Sequence, residues 1–158
     1  MTATYDSIAS TTLATNSTSV SFSNISGTYT DLVVVFSGSH TAGPDSVKLR
    51  FNNNTTSSYS QLQLIGDGSS AYTTTSGNIS SISVGNVNGV SNNIVHIMNY
   101  SNTVTNKFVI GRGDEAGQMT VLGIGRYGST DAITTVTVFT SANFASGSVF
   151  SLYGIKAE

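Results

Sequence analysis

Tyr29-Thr-Asp-Leu-Val-Val-Val-Phe-Ser37 contains the one run of five consecutive apolar residues in the chain, Leu32 to Phe36. A bilayer span needs about 20 such residues, and β-branched side chains lose rotamer freedom in a helix. The stretch therefore reads as a strand covered on both faces, at the centre of a sheet. Most other segments alternate apolar residues with Ser, Thr or Asn, the pattern of strands with one face inward and one in water. Val47, Leu49 and Phe51 alternating with Lys48, Arg50 and Asn52 is the cleanest case. Asn93 to Tyr100 reads as a second strand buried on both sides, and two such strands imply stacked sheets.

The strands expected around this centre are short and spaced eight to twelve residues apart, and no segment shows a helical period. Ten or eleven are expected. The segments 52–58 and 70–78 read as polar loops, and the loss of phase across Ile79, Ile82 and Val84 reads as a bulge or bend. The fold class that follows is all-β: a two-sheet antiparallel β-sandwich of jelly-roll type, one domain over residues 1–158, with residues 1–7 as an N-terminal arm.

Composition narrows the function more than it defines it. The chain has 158 residues, of which 38% are hydrophobic but only 9% charged, while Ser, Thr and Asn make up roughly two-fifths. Recurrent Tyr and Phe argue for folding despite the polar bulk. Eight acids and six bases are scattered singly, so no basic tract is available to follow a phosphate backbone, and nucleic acid is not an expected partner. There is no cysteine, hence no disulfide, thiolate metal site or cysteine nucleophile. The first residues show no secretory pattern and no segment reaches membrane-spanning length, so synthesis in a cytoplasm and no membrane partner are expected. Six Asn-x-Ser/Thr triplets are what such a composition produces by chance.

Several short motifs invite a functional reading. Gly123-Ile-Gly-Arg-Tyr-Gly128 spells the G-x-G-x-x-G of dinucleotide sites, but a β-branched segment follows where a helix N-terminus would have to hold the phosphate. Its glycines are better explained by twist or close approach. Arg112-Gly-Asp114 reads as an exposed turn at the end of a strand over 108–110, and Asp114 with Glu115 is too small a set for Ca²⁺. His40 belongs to a Gly-rich turn and His96 to a hydrogen-bonded core or interface position. No G-x-S-x-G elbow and no pair of carboxylates flanking a cleft is evident. Tyr59, Tyr72 and Tyr127 lie near loops, where they either stack on sugars or close the end of a sandwich. The residues give no enzyme, no catalytic residue, no cofactor and no metal.

Three stretches carry a resemblance. Tyr5-Asp-Ser-Ile-Ala-Ser-Thr-Thr-Leu13 with Ser19-Val-Ser-Phe-Ser-Asn-Ile25 and Thr28-Tyr-Thr-Asp-Leu-Val33, then 47–59, then Asn143-Phe-Ala-Ser-Gly-Ser-Val-Phe-Ser-Leu-Tyr-Gly-Ile-Lys156, resemble small all-β structural proteins of tailed bacteriophage virions. The resemblance implies a capsid decoration (cement) protein on the virion surface, with the major capsid protein and itself, as a homotrimer, for partners. It leaves open a tail or fibre tip module that binds a bacterial surface glycan. The interface residues expected are Met1, Thr2 and Tyr5 on the arm, with Arg112 and Asp114.

Overall fold

The computed structural model describes residues 5–42, 45–87, 89–117 and 119–156. Among them are twelve strands and no helix. In chain order these are β1 (Tyr5–Thr12), β2 (Ser17–Phe22), β3 (Asp31–Ser39), β4 (Asp45–Phe51), β5 (Tyr59–Gly66), β6 (Ala71–Ile79), β7 (Ile82–Val87), β8 (Val90–Met98), β9 (Lys107–Glu115), β10 (Thr120–Tyr127), β11 (Val136–Phe144) and β12 (Val149–Ile155). They form an eight-stranded sheet, β1-β12-β3-β8-β9-β10-β5-β6, and a four-stranded sheet, β2-β11-β4-β7. All pairings are antiparallel.

Setting aside β5, β6, β9 and β10 reveals the plan. The remaining eight strands pair first with last, second with second-last, and so on: β1 with β12, β2 with β11, β3 with β8 and β4 with β7. That is a long antiparallel ribbon folded over two sheets, the jelly roll expected from the sequence. Two hairpins are inserted into it, β5–β6 between β4 and β7, and β9–β10 between β8 and β11. Pairing of β10 with β5 joins them into one extension of the larger sheet.

Apolar side chains of both sheets fill the space between layers. Leu32, Val34 and Phe36 of β3 face Leu49, Phe51 and Val138 of the smaller sheet across this core, each 2% exposed or less. Phe36, Phe144 and Phe150 gather with ring centroids 4.8–5.0 Å apart, and Tyr59 stacks on Tyr127 at 4.8 Å at the β5 and β10 end. Such pairs add about 1 kcal/mol beyond their buried area.

The inner faces of β9 and β10 carry glycine where a sandwich normally carries bulk. A Cβ on Gly111 would stand 2.7 Å from Val84 Cβ and 2.8 Å from its carbonyl oxygen, and one on Gly125 would stand 2.5 Å from Ile82 Cγ2. These absent side chains let β7 settle directly on the inserted hairpin. Gly123 and Gly125 of the G-x-G-x-x-G stretch serve this close approach, whereas Gly128 lies against the Ser58 carbonyl.

Several expectations are corrected. Residues 71–78, read as part of a polar loop over 70–78, belong with Ile79 to β6, because Thr-rich sequence pairs readily at an edge where neither face must be apolar. The phase loss after Ile79, read as a bulge or bend, is both: a bend at 80–81 followed by a bulge in β7 opposite Val47 and Lys48. β8 is buried on one side only: Val95 and Ile97 are inside, whereas Ile94 is 39% exposed. Tyr59 and Tyr127 are core residues. Of the arm expected over 1–7, Tyr5, Asp6 and Ser7 belong to β1, paired with Ile155, Gly154 and Tyr153. Met1 and Thr2 lie outside the described residues.

Candidate functional site

Residues directly opposite one another in a sheet share a face, so the register defines what the eight-stranded sheet shows to solvent. One row reads Val35–Ile94–Arg112–Leu122–Leu64 across β3, β8, β9, β10 and β5. The next reads Val33–His96–Ile110–Ile124–Leu62. Ile94, Leu122 and Leu64 of the first row and Leu62 of the second are each roughly two-fifths exposed. Single exposed apolar residues are ordinary, but neighbours in two continuous rows mark an interaction surface. Most of these positions belong to the inserted hairpins.

The face is hollow. Tyr5 of β1 and Leu122 of β10 line one cavity of about 230 Å³ together with Val33, Ile94, His96, Ile110 and Arg112. On a flat sheet those strands would stand about 24 Å apart, so the sheet curls toward this side. A second hollow adjoins it, sharing Arg112 and Leu122 and reaching Leu64, Ala71 and Thr120.

Arg112 is the distinctive charge of this surface. Five of the six cationic side chains are engaged. Lys48 reaches Asp45 and Ser141, Arg50 donates to the Ser80 carbonyl, and Lys156 pairs with Asp6 at 2.7 Å. Arg126 meets the Asn106 side-chain oxygen, and buried Lys107 donates to the carbonyls of Asn102, Thr105 and Thr130. Arg112 has no hydrogen-bond or ion-pair partner among the described residues. Beside it, His96 Nε2 lies 3.0 Å from Asp31 Oδ2.

Of the residues picked out from sequence, Tyr5 and Arg112 come together in one cavity although 107 positions separate them. Asp114 lies two residues beyond Arg112 on the same face and accepts from the Asn92 backbone N–H at 2.9 Å. The Arg-Gly-Asp stretch thus lies inside β9 and not on a turn, because Gly113 extends the strand over Asn93 instead of ending it. His96, read from the sequence as a hydrogen-bonded core or interface position, is hydrogen-bonded to Asp31 and lines the cavity; for Ile94, Leu122, Leu62 and Leu64 the alternation is legible in the sequence, but their facing water is not.

A second polar cluster joins His40, just past the end of β3, to β4 and β11. Thr140 Oγ1 donates to Asp45 Oδ2 at 2.6 Å and lies 3.0 Å from His40 Nε2. Burial raises the Asp45 carboxyl, but hydrogen bonds from Thr140, Ser46 and Ser141 with the charge of Lys48 outweigh it and bring the pKa to about 2. Thr140 is 4% exposed and the His40 side chain fully buried, so no substrate reaches this hydroxyl. The cluster ties strands together. Among the described residues, no group of three or more His, Asp or Glu is arranged to hold a metal ion.

No protein-family model and no curated protein matches the chain. Among solved structures, an exo-inulinase from Aspergillus awamori aligns at TM-score 0.49 and 16% identity, over 96% of this chain and 29% of the inulinase. The galectin LEC-6 of Caenorhabditis elegans aligns at TM-score 0.38 and 6% identity, over 94% of this chain and 96% of the galectin. The CBM40 of a Ruminococcus gnavus IT-sialidase, bound to α2,6-sialyllactose, aligns at TM-score 0.35 and 11% identity, over 97% and 96%. At such scores these likenesses carry no argument about what this chain binds.

Proposed function

We propose that this chain is a non-enzymatic virion structural protein, a capsid decoration protein that adheres to the major capsid protein through the hollow face of its larger sheet. The observation that carries the reading is the pair of exposed apolar rows around the unpaired Arg112. Burying leucine and isoleucine against a protein surface gains about 25 cal/mol per Å², whereas a sugar laid on them would lose hydration of its hydroxyls with few partners in return. Arg112 adds direction. Once covered, a guanidinium without a partner is costly, so the surface it meets must supply a carboxylate.

Co-sedimentation with particles stripped of this protein tests the reading. The parent chain is expected to bind, Leu122→Asp to lose binding at least about tenfold, and Arg112→Ala to weaken it comparably, as central anchors do. Equal binding by all three would sink it.

A second reading is favoured by one specific feature, the Tyr5 ring beside Arg112 and His96 in the smaller hollow. An aromatic surface next to polar donors suits a glycan at a tail or fibre tip. It predicts binding to host cells instead of capsids, lost on Tyr5→Ala.

A further inference from the structure

Four strands form the edges of the two sheets, and each carries some device that discourages pairing, β6 the least. β1 has a register break between Ser7 and Ala9 and an acidic residue, Asp6, in an ion pair. β2 is six residues long. β7 is equally short and bulged. Proteins need such devices because an edge presents a row of unpaired N–H and C=O groups that templates another strand.

β6 has only one of them, a register break at its far end between Gly77 and Ile79. It runs nine residues, Ala-Tyr-Thr-Thr-Thr-Ser-Gly-Asn-Ile, without a charge or proline, and eight of the nine are exposed. Its register with β5 is unbroken from Ala71 to Gly77, the one shift falling beyond, at Tyr59. Tyr72, Thr74 and Ser76 share the inner side of the sheet with Ile65, Gln63 and Gln61, yet they too are exposed.

We infer that β6 is a self-pairing edge: it adds the β6 of a second copy, antiparallel about a two-fold axis at Thr74, to make one sheet of sixteen strands. The sequence suits this occupant. A two-fold at Thr74 sets Thr74 opposite its equivalent, Thr73 opposite Thr75, Tyr72 opposite Ser76 and Ala71 opposite Gly77. Threonine pairs are among the favourable cross-strand neighbours, and like charges, the usual obstacle to self-pairing, are absent. The arrangement is isologous and closes at two copies, unlike the ring of three expected from the resemblance. It rests on the edge alone and stands apart from the reading of the hollow face.

Sedimentation equilibrium over a wide concentration range provides the test. The expected mass is twice the 16.4 kDa of one chain. Thr74→Lys and Thr74→Glu each place like charges face to face on the axis, so each alone is expected to remain single, and an equal mixture to recover the pair. Thr74 makes one weak bond, to Gln63 at 3.3 Å, so both variants are expected to melt as the parent does. If either fails to fold, amide exchange of the parent replaces it: β6 amides must gain protection as concentration rises. A mass of one or three chains, a pair persisting in both unmixed variants, or β6 amides indifferent to concentration would overturn the inference.

Discussion

At Asp45 the loss of water around a carboxylate opposes its ionisation, and four attractive contacts reverse the outcome. Folding is linked to this difference. An unfolded aspartate titrates near 3.8 and the folded one near 2, so the stabilisation is complete above about pH 4 and is lost as pH falls toward 2. The difference is worth about 2 kcal/mol. Asp45→Asn is expected to lower stability at neutral pH by about that amount and to flatten the acid limb between pH 4 and 2, read by urea unfolding at each pH. An acid limb identical to the parent's would count against the assignment. Tyr59 behaves oppositely at the alkaline end: burial pushes its hydroxyl up to about 12, so its contribution is intact below pH 10 and lost between 10 and 12. Neither was legible in the sequence. Asp45 and Thr140 lie 95 positions apart, and Tyr59, flanked by serines, reads as a loop residue until Phe51 and Tyr127 close over it.

The inserted hairpins show how an element can be legible in pattern and hidden in purpose. Alternation identifies strands over 108–110 and 119–127, and the glycines at 123 and 125 point to twist or close approach, but that the first strand runs on through Arg112 to Glu115, and that the strand which approaches is β7, is set by the topology. Gly125→Val is expected to destabilise by about 2 kcal/mol or more, because its side chain would occupy the space of Ile82. Gly77→Ala, where an added Cβ meets nothing within 4 Å, is expected to be neutral or slightly stabilising. Chemical denaturation of the two side by side checks the claim. β6 was the strand hardest to read, since Thr-Thr-Thr-Ser-Gly-Asn has no apolar face to betray a period. The face beside it was missed for a related reason: Leu62, Leu64 and Leu122 have the same alternation whether they point to a core or to water.

Over the whole molecule, the two-layer plan followed from Leu32–Phe36, although the second sheet covers only Leu32, Val34 and Phe36, while Val33 and Val35, expected to be covered too, lie on the hollow face. The jelly roll followed from short strands with no helical crossover. What could not be read was which strand lies beside which, since pairing of β1 with β12 joins the extremes of the chain and leaves no local trace. The same pairing makes the fold depend on its last strand. A chain ending before Val149 would leave β1 unpartnered and open the edge of β3, and it is expected to lose the sheet signal in circular dichroism. Tyr5 and Ile155, cross-strand partners, lie at the rim opposite β6. Segments joined ahead of Tyr5 and behind Ile155 would therefore leave β1 and β12 from one corner, and the far rim formed by β6 would stay clear of both.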